Sequence, residues 1–229
     1  MHKGNPEVIR LSSIVNRSPS SITFKLGNFA RLDPELQKRN IKGLSHGSKS
    51  EIEIWNEFNH DWENLSYESE LLLAKKKGKR IEQEYNLKEK ELPLGKEREA
   101  IVKVRVNQSF FRDTILASYD SRCCITGISV PALLTASHII PWSENSEHRM
   151  NPSNGLCLNA LHDRAFDKGL ITITSDFSVK LSSNLFNHVK KNNPDIFFSP
   201  FKNKKIMLPH KFLPDKSFLE YHYKNIFQK

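Results

Sequence analysis

Three polar residues stand out for what they could do together: His138, Asn154 and His162. His138 closes an apolar run, Leu133 to Ile140. Asn154 opens a short one, Asn154-Gly155-Leu156-Cys157-Leu158. His162 follows on a helix that Asn159 can cap. A histidine at a strand end and another on a facing helix can meet across a small ββα unit. Hydrolysis of a phosphodiester needs a base to activate water and a cation to stabilise the charge that develops on phosphorus and the leaving oxygen. A neutral imidazole is a suitable base near pH 7. A side-chain amide can fix the loop that aims it. Taken singly, each residue has an ordinary reading: a buried histidine bonded to backbone, or an Asn-Gly turn.

The elements around these residues are readable from periodicity. Residues 6–15 predict a helix capped by Asn5, with Pro6 at its first position. Ser18 and Pro19 start a second helix through Ile22, Leu26 and Phe29. The pair has the outline of a helix-turn-helix, with Ser20, Thr23 and Lys25 on its outer face, although many helical hairpins look the same. Asp33-Pro34 opens a short element, 41–48 reads as a loop, and Ser50 to Trp62 as a helix with Trp55, Phe58 and Trp62 in its core. A charged stretch follows to Glu99. Val102, Val104 and Val106 alternate with Lys103 and Arg105, which predicts a strand. Phe110 to Tyr119 predicts an amphipathic helix. Cys123 to Ile128 reads as a short extended run ending at Gly127, and Leu170–Thr174 with Val179–Leu181 as a hairpin after the stop at Gly169. The expected fold class is α+β. A small helical, helix-turn-helix-like domain over 1–70 and a charged linker over 71–99 precede a ββα domain over 100–229.

Composition bounds the partners. Lys and Arg total 35 against 26 Asp and Glu, a formal charge of +9, which suits a polyanion because neutralising phosphates releases counterions. The three cysteines, Cys123, Cys124 and Cys157, form no CxxC pair. They favour neither a disulfide framework nor a four-cysteine zinc site. No apolar run is long enough to span a bilayer, and the first residues lack an apolar signal region. The expectation is a cytoplasmic protein with no membrane partner.

The segments Ala136-Ser137-His138-Ile139-Ile140-Pro141-Trp142, Pro152-Ser153-Asn154-Gly155-Leu156 and Leu161-His162-Asp163-Arg164-Ala165-Phe166-Asp167-Lys168-Gly169 resemble the HNH endonuclease family, with its ββα-metal fold. The opening Arg122-Cys123-Cys124-Ile125-Thr126-Gly127 resembles a sub-group without the CxxC pair of zinc-bearing relatives, so no structural zinc is implied. Similarity continues to Leu208–Pro214 and Tyr221-His222. The front, from Asn5 to Pro34, resembles a domain often found ahead of such nucleases, where it tends to be interior to the chain.

The resemblance implies His138 as general base, Asn154 as the residue holding the base-bearing loop, and His162 as a metal ligand. It implies Mg²⁺ or Mn²⁺ as cofactor and double-stranded DNA as substrate, often in restriction or defence. Two-fold symmetric target sites would suit a homodimer. One departure matters: many such enzymes carry an acidic metal ligand directly before the base, where this chain has Ser137. Asp163 and Asp167 are then expected to help His162 hold the metal, unless they only pair with Arg164 and Lys168. Arg149, Arg164 and Lys168 are expected to bind flanking phosphates. Ser137 also keeps an alternative open, a DNA-binding regulator with an inactive HNH module.

Overall fold

The computed structural model describes residues 2–88, 92–185, 187 and 196–229. It is α+β, and the chain divides into two compact units, Met1–Asn107 and Gln108–Lys229.

In the first unit, helices start where capping chemistry places them. In α1 (Pro6–Val15), Asn5 Oδ1 accepts the Glu7 amide. In α2 (Pro19–Ala30), the Ser18 hydroxyl accepts from Ser21. In α3 (Pro34–Lys38), Asp33 accepts from Glu35 and Leu36. Each has Pro in its first turn, where a missing N–H costs nothing. Ser48 and Glu51 form a capping box at the start of α4 (Lys49–Phe58).

The expected helix from Ser50 to Trp62 is interrupted after Phe58, because Asp61 caps a separate α5 (Trp62–Lys76). Trp55, Phe58 and Trp62 are half-buried instead of forming a sealed core. What α4 buries is Glu51. Its carboxylate accepts from Lys25 Nζ at 2.5 Å, Asn28 Nδ2 at 2.9 Å and the Ser48 amide at 2.9 Å. The Lys25 hydrogen bond is the main reason its pKa falls to about 2. Lys25, expected on an outward face, is thus tied to the interior.

The charged stretch folds in part. It continues α5, forms α6 (Ile81–Glu84) and opens α7 (Lys96–Ser118). Lys79 pairs with Glu84 at 3.4 Å, and Lys77 pairs with the same carboxylate. The predicted strand at 100–106 is helical instead. Val102 and Val106 are buried while Ile101 and Val104 are exposed. The valines at 102 and 106 satisfy a helical i, i+4 stripe as well as an alternation. The amphipathic helix predicted over Phe110–Tyr119 is the second half of α7.

In the second unit, residues 123–128 form a turn and not the expected extended run. The amide of Gly127 donates to Cys123 O, and that of Cys123 to Ile128 O. Gly127 has φ +76°, so the chain reverses there. A backbone bond from Cys124 N to Cys157 O ties this turn to the sheet.

Strand β1 (Leu134–His138) pairs antiparallel with β2 (Gly155–Asn159), in a register that sets His138 opposite Gly155 and Leu134 opposite Asn159. Helix α8 (Ala160–Asp167) packs on both strands. It ends at Gly169, φ +66°, where an added Cβ would lie 2.0 Å from Ile226 O. The predicted hairpin follows as β3 (Ile171–Ile173) and β4 (Val179–Leu181). Helix α9 (Lys216–Asn225) packs against β3.

Every residue of β2 is buried. Leu156, Leu158, Phe166, Ile171, Ile173 and Leu219 form a continuous core around it. Gly155 has an ordinary φ of −127°, but a Cβ there would lie 2.3 Å from Ile115 Cδ1 and 2.9 Å from Phe111 Cζ. Its smallness lets α7 lie directly on the ribbon.

Candidate active site

His138 is the last residue of β1, and three contacts fix its ring. Nε2 is 2.9 Å from the Arg149 carbonyl. A carbonyl only accepts, so Nε2 carries the hydrogen and Nδ1 keeps its lone pair. Phe111 stacks on one face, with centroids 4.0 Å apart and planes 9° apart. Trp142 meets the ring edge-on at 5.5 Å. Burial holds the imidazole pKa below its usual value, and the bond to Arg149 opposes that shift in part. The ring is therefore neutral at pH 7, as a proton acceptor must be.

Asn154, 1% exposed, acts as a side-chain copy of a strand neighbour. Its Oδ1 accepts the Ile140 amide at 2.8 Å. Its Nδ2 donates to Ile140 O at 3.1 Å and to His148 O at 3.2 Å. Its own carbonyl accepts the Ile139 amide. Both ends of the long loop after His138 are thereby tied to one amide. Asn145 braces the middle by accepting from the amides of Glu147 and His148.

His162 is 2% exposed. Its Nδ1 and backbone N–H both lie 3.0 Å from Asn159 Oδ1, and Phe198 and Phe201 flank its ring at 5.1 and 5.8 Å. Asn159 turns its other end to Thr126 Oγ1 at 3.2 Å and Cys123 Sγ at 3.7 Å. Asn159 therefore joins α8, through His162, to the 123–127 turn.

The next residue, Asp163, faces β1. Burial raises its pKa, while the Ser137 and Thr135 hydroxyls and Arg164 work against that rise. Ser137 Oγ is itself buried and makes no well-formed hydrogen bond. Asp167 is also raised, first by burial and then by the charge of Asp163, with Arg164 and Lys168 opposing. A carboxyl raised by burial, a second raised by burial and by the charge of the first, and a buried hydroxyl form a patch that a cation would relieve.

Carboxylate and hydroxyl oxygens suit a hard divalent ion, and one or two carboxylates with water and phosphate are enough for Mg²⁺. Among the described residues no group of three or more His, Cys, Asp or Glu could hold a metal. The fit is thus to an ion shared with substrate, not to a closed protein cage.

Arg149, expected at a phosphate, has its Nε donating to Trp142 O at 2.7 Å and its guanidinium 5.3 Å from the Trp142 ring centre. Sequence reasoning missed Phe111. It lies in another element, and nothing in its own spacing marks it beyond a place on the apolar face of α7.

A two-stranded ribbon, a helix across it and a histidine closing the first strand are the frame of a ββα nuclease. Residues 123–174 match the model of the HNH endonuclease family, so this segment is similar to an HNH endonuclease domain. A comparison with curated proteins found no match. Among the described residues no helix is long and apolar enough to cross a membrane.

Proposed function

We propose that the protein is a divalent-metal-dependent endonuclease that hydrolyses phosphodiester bonds of duplex DNA, with His138 as general base. The observation that carries this reading is the bond from His138 Nε2 to the Arg149 carbonyl, which leaves Nδ1 as the atom that takes the proton from water. Asn154 holds the loop that supplies that carbonyl. Asp163, with Asp167 beside it, is the site for Mg²⁺ or Mn²⁺, and the Ser137 hydroxyl stands where an acidic ligand is usual. His162, its Nδ1 held by Asn159 Oδ1, keeps the metal-ligand role that the resemblance implies, next to Asp163 in the chain. When bound, the ion would neutralise the scissile phosphate and the leaving 3′ oxygen. Arg164 and Lys168 bind flanking phosphates, and the product carries a 5′-phosphate. A restriction or defence setting fits a sequence- or modification-dependent pattern of cuts.

The test is cleavage of supercoiled plasmid, methylated and unmethylated, with Mg²⁺ or Mn²⁺ and with EDTA. His138→Ala should lose roughly 10²- to 10⁴-fold in rate while keeping DNA affinity, and Asp163→Asn should lose metal-stimulated cutting. Undiminished cutting by a folded His138→Ala variant would sink the assignment. Ser137 favours one other reading, a DNA-binding regulator with an inactive module. DNA binding without cleavage under any metal condition would select it.

A further inference from the structure

Three side chains and two carbonyls form a closed circuit around the candidate base. The Arg149 carbonyl accepts the His138 Nε2 hydrogen. The Arg149 side chain turns back onto Trp142, donating from Nε to the Trp142 carbonyl and laying its guanidinium over the indole. The indole edge then meets the His138 ring. Each contact fixes a partner of the next, so the loop between Pro141 and Met150 is cross-linked through its own side chains at the point where it touches the base.

We infer that Arg149 is a positioning residue for the general base: by clamping Trp142, its side chain holds its own carbonyl where it selects the Nε2–H tautomer of His138. This rests on the nuclease reading only for its kinetic consequence; the tautomer is a property of the folded chain without substrate. The chemistry explains why arginine serves here. A guanidinium can donate from Nε in its plane while presenting a flat face to an aromatic ring. A lysine ammonium is a point charge and cannot make both contacts in one geometry. A phosphate anchor, by contrast, would tolerate lysine, because counterion release depends on charge.

The experiment uses the full chain labelled with ¹⁵N-histidine. A long-range ¹H–¹⁵N correlation separates Nε2–H from Nδ1–H rings, and the His138 signals are assigned as those missing in His138→Ala. The wild type should show a single Nε2–H form for His138. Arg149→Lys and Trp142→Leu, each checked for folding by its thermal transition, should both show a mixture of tautomers. Both should cut plasmid more slowly in kcat by roughly ten- to a hundredfold. DNA affinity, and its dependence on salt, should stay at wild-type values in Arg149→Lys.

The proposal is overturned if Arg149→Lys keeps both the tautomer and kcat, while a charge-removing Arg149→Gln loses only affinity and salt dependence. That result would make Arg149 a phosphate anchor. A wild type that cuts no DNA yet shows the tautomer shift in both variants would remove the nuclease reading and leave the circuit standing.

Discussion

The two units solve the same problem with different materials. Among the described residues of Met1–Asn107 the buried apolar side chains are Val8, Ala74, Val102 and Val106. The helices there are fixed by caps and by polar contacts, chiefly those converging on Glu51 and the bond from Ser66 to Asn107 at 2.8 Å. In Gln108–Lys229 a continuous apolar core surrounds β2, and the buried polar groups that matter, Asn154 and His222, each bond to backbone. Burial of apolar area supplies the larger driving force. Backbone bonds to a buried amide or imidazole then fix geometry tightly. The candidate chemistry lies in the second kind of structure, where an imidazole can be held in one tautomer.

The comparison is broken most directly at Gly155. An alanine there would press on Ile115 and Phe111, both buried and without room to retreat. Overpacking of this kind costs about 1–3 kcal/mol, and it would push Phe111 off the His138 ring, so cleavage should fall as well. Ile115→Val removes the atom met first and should recover part of both losses. Gly78 in the first unit is the control. Nothing lies within 4 Å of a Cβ there, although its φ is +69°, so Gly78→Ala should cost about 1 kcal/mol and leave cleavage unchanged. Urea unfolding and plasmid cleavage on the wild type and these three variants read this out. Equal losses at Gly78 and Gly155 would remove the distinction between the units.

Much of this arrangement was legible in the sequence, and the failures share a cause. Local chemistry was readable: the caps at Asn5, Ser18 and Asn159, the stop at Gly169, and the strand-end position of His138 with Asn154 opening the next strand. What misled was any pattern that fits two periods or depends on a partner far along the chain. Val102 and Val106 fit both an alternation and a helical stripe, and the helix through Ser118 decided between them. Phe111 and Trp142 carry no mark of their own, because their role exists only where α7 and the loop meet His138. His162 and Asp163 are neighbours on a helix, and spacing alone does not tell which one faces β1.

A second difference between the units is their response to acid. His222, 1% exposed, lies stacked on Phe166 at 3.7 Å. Its Nε2 donates to Phe166 O at 3.1 Å, and Nδ1 accepts from the Thr172 hydroxyl at 2.8 Å. Burial lowers its pKa from 6.5 to about 4. The folded chain then binds fewer protons than the unfolded one between those values, so stability is full above about pH 6.5 and declines as pH falls towards 4. The loss is on the order of 3 kcal/mol. Asp163 and Asp167 are raised and therefore act in the opposite sense, so the informative quantity is wild type minus His222→Gln. Urea unfolding from pH 7.5 to 4.5 should show the wild type losing stability faster than the variant. Parallel curves would mean that His222 does not titrate with folding.

The first unit should yield in a lower window and by less. Glu51 is a carboxyl with a lowered pKa, so its contribution is complete above about pH 4.5 and disappears as pH falls towards 2. The Lys25 side chain is 55% exposed, so water already reaches it and takes over part of the bond when the carboxylate is lost. Glu51→Gln drops the charge and keeps one acceptor oxygen, which serves either the Lys25 and Asn28 side chains or the Ser48 amide but not both. It should lower stability modestly at pH 7 and flatten the acid response below 4.5, while the His138 tautomer signature and plasmid cleavage stay as in the wild type. Amide hydrogen exchange localises the change: faster exchange should appear in α2 and α4 and leave β1 and β2 untouched. If protection fell equally in both units, the ionic cluster would be supporting the catalytic frame as well, and the division of labour between polar and apolar halves would fail.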